Sequence, residues 1–327
     1  MLKILYAGSP DAAACTLEIL LENSKSCGFE VAGVLTNPPS SQGRHKELIP
    51  TPVQALAESK GIPVFTPDHL DAACREQISP IGAEVLVCFA YGHIFGPKFL
   101  GLFPKGGMNL HPSLLPKYRG CTPVPQAILN RDKETAVTIQ TLGLGMDEGN
   151  ILAQTVVALD GTETAASLLD LSARTGAELI CNLLKSCSEN GELPEGKPQS
   201  GEPSYTGIIT KADGKIDWNQ SAEAIEAKLR AYTPEPGIWT CEENGNTLKI
   251  LKASVLDPQV TKSPVNVEQW ESEPCGKVLA FVKSDGIFIK TGNGILCVTE
   301  LQRQGKKVMA YKDFMNGAGK FLGTVLK

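Results

Sequence analysis

The sequence predicts an α/β protein in two parts: a doubly wound, mostly parallel sheet at the N-terminal end and a small β-barrel at the C-terminal end. Three observations predict it. Through residue 188, short apolar runs alternate with helical patterns, the layout of a parallel sheet covered by helices. Residues 187–206 are rich in Ser, Gly, Pro and Glu, the composition of a linker. Beyond residue 237 the chain breaks into short strands separated by turn dipeptides, which suits a barrel. The expected division is a domain over 1–188, a linker over 189–206 and a second domain over 207–327.

Residues 2–8 read as a buried parallel strand, apolar except for Lys3. Gly8-Ser9-Pro10-Asp11 turns into a helix ending near Cys27-Gly28, and 30–36 is the second strand. This β-α-β opening carries neither Gly-x-Gly-x-x-Gly nor a Gly-Lys-Ser/Thr phosphate loop. Residues 37–51 form a long polar loop whose formal cations are Arg44 and Lys46. Thr51-Pro52 caps and starts a helix through Lys60-Gly61. Residues 62–65 make a short strand, 68–78 a helix and 83–90 a strongly apolar central strand ending in Tyr91-Gly92-His93. A short helix over 124–130 and a strand over 134–142 come next, then a strand over 151–159. A helix capped by Thr164 or Ser167 runs to about Ser186. Ser221 caps a helix over 222–230. Strands are expected at 237–242, 247–255, 276–282, 286–291 and 294–301, with a small helix at 311–316; five short strands suggest an OB-like barrel.

Composition narrows the function. Hydrophobic residues make up 42% and charged residues 20% of the 327 residues, as in ordinary soluble domains. No run approaches a membrane span, and the N-terminus lacks a signal-peptide layout, so a cytoplasmic protein is expected. The ten cysteines include no Cys-x-x-Cys pair and no adjoining His cluster, which argues against a metal site. Most suit small core positions, and Cys121 could be exposed. Net charge is −5, but residues 209–327 hold 16 Lys and Arg against 14 Asp and Glu, leaving 15 and 22 in residues 1–208. A mildly basic C-terminal part is compatible with a nucleic-acid partner.

The chemistry concentrates in Gly106 to Gly120, Gly-Gly-Met-Asn-Leu-His-Pro-Ser-Leu-Leu-Pro-Lys-Tyr-Arg-Gly. Asn109 and His111 lie two apart in a short apolar run, so on a strand both project from one face. Pro112 blocks further strand pairing, Pro116 stiffens the loop and Gly120 supplies a turn. An imidazole that moves protons near neutral pH beside an amide that can hold an oxyanion suits acyl or formyl transfer. The bland alternative is a His satisfied by a backbone carbonyl and an Asn turning a loop.

Residues 109–120, followed by Gly143-Leu144-Gly145-Met146-Asp147-Glu148-Gly149, resemble the signature of the folate-dependent formyltransferases. Agreement with the methionyl-tRNA branch of that family extends along nearly the whole chain. It includes Ala7-Gly8-x-Pro10-Asp11, Pro116-x-x-Arg119-Gly120, Ile216-Asp217-Trp218, Ile225-x-x-x-Leu229-Arg230-Ala231, Pro234-x-Pro236 and Gly305-Lys306-Lys307-Val308-Met309. The resemblance implies formyl transfer from 10-formyltetrahydrofolate to the amino group of methionyl initiator tRNA, without a metal. It implies Asn109, His111 and Asp147 as catalytic residues, and Ser113, Leu114, Leu115 and Pro116 beside the folate. It places Arg44 and Lys46 against the tRNA acceptor end, with Glu47 standing where a Lys is expected. The barrel would hold tRNA phosphates, with Lys249, Lys252, Lys306 and Lys307 as candidates, and a monomer is expected.

Other readings stay open. A glycinamide ribonucleotide formyltransferase would stop after the first domain and carry a Gly- and Ser-rich phosphate loop. A formyl hydrolase or a sugar-nucleotide formyltransferase would share the same catalytic half. A non-catalytic RNA-binding protein would keep only the barrel.

Overall fold

The first strand, β1 (Leu2–Gly8), alternates between two buried clusters: Leu2, Ile4 and Tyr6 enter one, Leu5 and Ala7 the other. Successive strand residues point to opposite faces, so this strand is covered on both sides, and its sequence reads as an unbroken apolar run. The computed structural model describes residues 1–42, 47–257, 259 and 266–327. They divide into two units, one of residues 1–124, 133–159 and 167–207, the other of residues 125–132, 160–166 and 208–327.

After β1 come α1 (Asp11–Asn23), β2 (Phe29–Leu35), β3 (Ser40–Gln42), β4 (Glu47–Ile49), α2 (Pro52–Ser59), β5 (Val64–Phe65), α3 (Ala72–Ile78), β6 (Val85–Phe89) and α4 (Pro97–Leu100). Then follow β7 (Gly107–His111), β8 (Arg119–Gly120), α5 (Pro123–Leu129), β9 (Glu134–Thr141), β10 (Ile151–Ala158), α6 (Ala165–Asn190) and β11 (Tyr205–Thr206). The main sheet of the first unit has the order β10-β9-β7-β6-β1-β2-β5. It is parallel from β7 to β5, while β9 and β10 run antiparallel at the other edge. Strand order reverses at β1, and the carboxyl ends of strands near such a reversal are where open α/β sheets bind ligands. Residues 37–51 do not form a plain loop, because β3 and β4 pair antiparallel within them.

Apolar side chains of α1, α2 and α6, among them Leu17, Val53 and Ile180, cover one face of this sheet. Cys74 and Ile78 of α3, with Phe95, Phe99 and Phe103, cover the other. Capping sets several helix starts. Thr51 accepts a hydrogen bond from the Gln54 N–H (3.0 Å) with Pro52 in the first turn. Asp71 accepts from the Cys74 N–H (3.0 Å), so α3 starts at Ala72 and not at the expected residue 68. The α6 helix passes its expected end near Ser186 because Leu183, Leu184 and Cys187 keep its apolar face buried.

The segment after α6, a linker by composition, is hydrogen-bonded to the first unit. Lys197 and Ile151 exchange backbone hydrogen bonds at 2.7 and 2.9 Å, and β11 pairs with β8. Of the ten thiols, all are free, five are buried and Cys121 is exposed.

The second unit contains α7 (Ala222–Tyr232), β12 (Ile238–Cys241), β13 (Thr247–Val255), β14 (Val278–Val282), β15 (Gly286–Lys290), β16 (Ile295–Arg303), β17 (Met309–Ala310) and α8 (Tyr311–Asn316). Ser221 caps α7 by accepting from the Ala224 N–H at 3.2 Å. The strands form one antiparallel sheet, β12-β13-β16-β15-β14, with β17 beside β16. Its two edges are joined by residues 323–327. Val278 donates to the Thr324 carbonyl and Leu326 to the Gly276 carbonyl, both at 2.9 Å; Cys241 and Lys327 exchange two bonds of 2.9 Å. The expected barrel is thus an antiparallel sheet closed through this segment. Among the described residues, no helix is long and apolar enough to cross a membrane.

One packing contact ties the helix layer to the site. Gly176 of α6 lies against Leu110 of β7, and a Cβ at that position would overlap Leu110. Gly176→Ala would gain about 1 kcal/mol of helix propensity and lose about 1–3 kcal/mol to overpacking. A lower midpoint of urea unfolding is therefore expected. A midpoint equal to or above that of the parent chain would show that the contact is loose.

Candidate active site

β7 places Asn109 and His111 on one face and Met108 and Leu110 in the core on the other, as the spacing predicts. Register continues the polar face across the sheet: Asn109 pairs with Gln140 and His111 with Thr138 of β9. The loop with Asp147 connects β9 to β10 and brings its carboxylate back over this face. Asp147 Oδ2 lies 3.5 Å from His111 Nδ1 and accepts the Gly120 N–H at 2.8 Å. Its Oδ1 accepts from Gln140 Nε2 at 2.7 Å and from Asn109 Nδ2 at 3.4 Å. The three residues expected from sequence are therefore assembled.

His111 is 4% exposed, and its Nε2 is 2.9 Å from the Tyr118 carbonyl oxygen. A carbonyl only accepts, so Nε2 carries the proton and the neutral ring leaves Nδ1 bare towards Asp147. A lone pair and a carboxylate oxygen at that distance repel; a proton on Nδ1 turns the repulsion into attraction. Burial opposes the charge, however, and holds the His111 pKa below its ordinary value, while Asp147 and the Tyr118 carbonyl raise it. Cys88, opposite Asn109 on β6, is kept from acting as a nucleophile, since burial pushes its thiol up to about 12.

The Ser113–Pro116 loop is mostly turned inward. Ser113 Oγ donates to the Lys117 carbonyl at 2.7 Å, and the Ser113 carbonyl accepts from Thr138 Oγ1 at 2.7 Å. Ser113, Leu115 and Pro116 are buried and Leu114 is half-buried. His93 bonds the Asn37 side chain at 2.9 Å. Arg44 and Lys46 lie outside the described residues. Of the barrel lysines, Lys252 is engaged in an ion pair with Glu300 at 2.7 Å.

Sequence reasoning gave no role to Gln140 or Gln199. Gln199 Nε2 donates to the backbone carbonyls of Asp147 (2.8 Å) and Gly149 (2.9 Å), and its Oε1 accepts from Arg119 Nε and Nη2 at 3.2 and 2.9 Å. Gln140 is 2% exposed, although alternation along β9 assigns it to a solvated face. Among the described residues, no group of His, Cys, Asp and Glu is gathered to hold a metal ion.

Because burial lowers the His111 pKa and Asp147 raises it, titration of the His111 ring followed by NMR should give a midpoint below about 6.5. Asp147→Asn should move it lower still. The unfolded chain takes up this proton first, so the contribution of neutral His111 is complete above about pH 6.5 and is lost as pH falls towards the lowered folded value. An upward shift in Asp147→Asn would refute the electrostatic coupling.

The chain resembles known proteins along nearly its whole length. A family model described as Formyl transferase matches residues 2–184, and one described as Formyl transferase, C-terminal domain, matches residues 208–319. A methionyl-tRNA formyltransferase of Treponema denticola is 40% identical, the match covering 98% of this chain and 98% of that protein. One of Symbiobacterium thermophilum is 36% identical, covering 99% and 95%. Among solved structures, the sugar 3N-formyl transferase WlaRD shares the fold with a TM-score of 0.60 at 20% identity, covering 94% of this chain and 99% of that one. With both family domains matched in order and full-length relatives at this identity, the chain belongs to the methionyl-tRNA formyltransferase family of formyl-transferring enzymes.

Proposed function

We propose that this protein transfers a formyl group from 10-formyltetrahydrofolate to the α-amino group of methionyl initiator tRNA, a step of translation initiation, by direct attack of the amine. The observation that carries the reading is the placement of His111 Nδ1 3.5 Å from Asp147, on the same strand face as Asn109. As the amine attacks, His111 Nδ1 takes its proton, and Asp147 stabilises the resulting imidazolium. Asn109 Nδ2 has two hydrogens, only one of which is turned to Asp147. The other can hold the formyl oxygen as charge builds there. The same imidazolium returns the proton to the departing folate nitrogen, so the formyl carbon gains one C–N bond and loses another. No protein nucleophile is needed.

The folate donor supplies the activated formyl group. We assign its contacts to the Ser113–Pro116 loop, through Leu114 and the backbone, because the other side chains there face inward. Leu144 and Met146, 66% and 53% exposed on the Asp147 loop, offer apolar surface to a pterin ring. The relatives named for methionyl-tRNA support the acceptor, as does their coverage of both domains. Arg44 and Lys46 are proposed to meet the tRNA acceptor end.

Purified protein mixed with 10-formyltetrahydrofolate and methionyl initiator tRNA should yield formyl-methionyl-tRNA, and glycinamide ribonucleotide in place of the tRNA should remain unmodified. His111→Ala is expected to slow turnover roughly 100- to 10,000-fold and Asn109→Ala roughly 100- to 1,000-fold. Formylation of the small nucleotide alone would overturn the acceptor, and normal turnover in His111→Ala the mechanism. Arg44→Ala should raise KM for the tRNA and leave KM for the folate unchanged; equal tRNA use would remove Arg44 from the interface.

A further inference from the structure

We propose that Gln199 is a positioning residue for Asp147, holding the backbone of the Asp147 loop so that its carboxylate meets His111. This rests on the catalytic roles proposed above, but not on the identity of the acceptor.

Three features carry the proposal. First, Asp147 has φ +53°, a left-handed conformation that L residues with side chains rarely adopt. Its side chain points to His111 and Gly120 only while the backbone keeps that turn. Second, Gln199 Nε2 spans the turn, donating to the carbonyls on both sides of Glu148, those of Asp147 at 2.8 Å and Gly149 at 2.9 Å. It also lies 3.3 Å from Oε1 of Gln140, whose own amide donates to Asp147 Oδ1. Third, the amide cannot be reversed. Its oxygen accepts from Arg119 Nε and Nη2, which only donate, and its nitrogen faces carbonyls, which only accept. Arg119 is in turn fixed by Glu148 Oε1 at 3.2 Å and the Tyr205 hydroxyl at 3.0 Å, with its guanidinium 5.7 Å from the Tyr205 ring centre.

The loop is thus held by a side chain from residues 191–207, which reach it from beyond α6. Closing brackets of this kind orient catalytic groups without touching substrate. Loss of Gln199 should free the turn, let the carboxylate leave Nδ1 and reduce the support it gives to a proton there.

The test uses the full chain and two readouts. NMR titration of His111, assigned by the signal lost in His111→Gln, needs no substrate. Gln199→Met should lower its midpoint in the same direction as Asp147→Asn, and should add no shift to Asp147→Asn. In the transfer assay, Gln199→Met should lower kcat roughly tenfold to a hundredfold, the scale of a slightly misplaced catalytic group, with KM for the folate within about twofold. The loss should nearly vanish when measured in Asp147→Asn. If Gln199→Met does not fold, Gln199→Asn, which keeps the amide but not its reach, replaces it with the same expectations. A His111 midpoint equal to the parent's, or an undiminished kcat loss in the Asp147→Asn background, overturns the proposal. Failure of the parent chain to formylate the tRNA would instead refute the acceptor and leave the titration to decide the role of Gln199.

Discussion

The carboxylate of Asp147 sits beside a buried imidazole whose facing nitrogen carries no proton, and the surroundings are organised to keep it there. Left alone, the two acceptors would part. The N–H of Gly120, the amide of Gln140 and, more distantly, that of Asn109 supply the donors that hold the carboxylate in place. The Tyr118 carbonyl meanwhile fixes which ring nitrogen is bare. Much of what lies nearby serves this arrangement. Gly120 has φ +105° and passes so close to the Thr206 carbonyl that a Cβ would strike it at 2.5 Å, which lets its N–H reach the carboxylate. Ser113 and Thr138 brace the loop that delivers the Tyr118 carbonyl.

The sheet explains why these groups converge. β7 is parallel to β6 and antiparallel to β9, so its carboxyl end meets the stretch of β9 that carries Thr138 and Gln140. The apolar half of β7 packs on α6 at the Gly176–Leu110 contact, and its polar half faces Asp147. The strand's alternation therefore divides one short segment between core and chemistry.

Much of this was legible in the sequence. The two-residue spacing of Asn109 and His111 placed them on one face, and the longer strands of both units were readable from apolar runs and turn dipeptides. Asp147 was found only through resemblance, because an Asp before Glu-Gly also suits an ordinary turn. Gln140 and Gln199 were not found. One lies in a strand whose polar and apolar residues alternate as they would at a solvated edge. The other lies in a stretch whose Ser, Gly, Pro and Glu content reads as loose chain, yet whose backbone and side chains are hydrogen-bonded to Ile151, Arg119 and the Asp147 loop. Composition reports how little a segment buries, and burial is not what fixes this one. Long-range hydrogen bonds fix it, and they leave no periodicity to read.

The join between β12 and β14 has a consequence for how the second unit is made. Both strands are finished by residue 282, yet the backbone that links them lies at residues 323–327. A nascent chain emerging from the ribosome would therefore carry two open sheet edges for as long as that segment is still unmade. Such edges are templates for pairing with other chains. The main sheet of the first unit keeps β10 and β5 as its edges in the finished fold, so those edges await no closing segment. Vectorial synthesis thus leaves the second unit's sheet unclosed until residues 323–327 have been made.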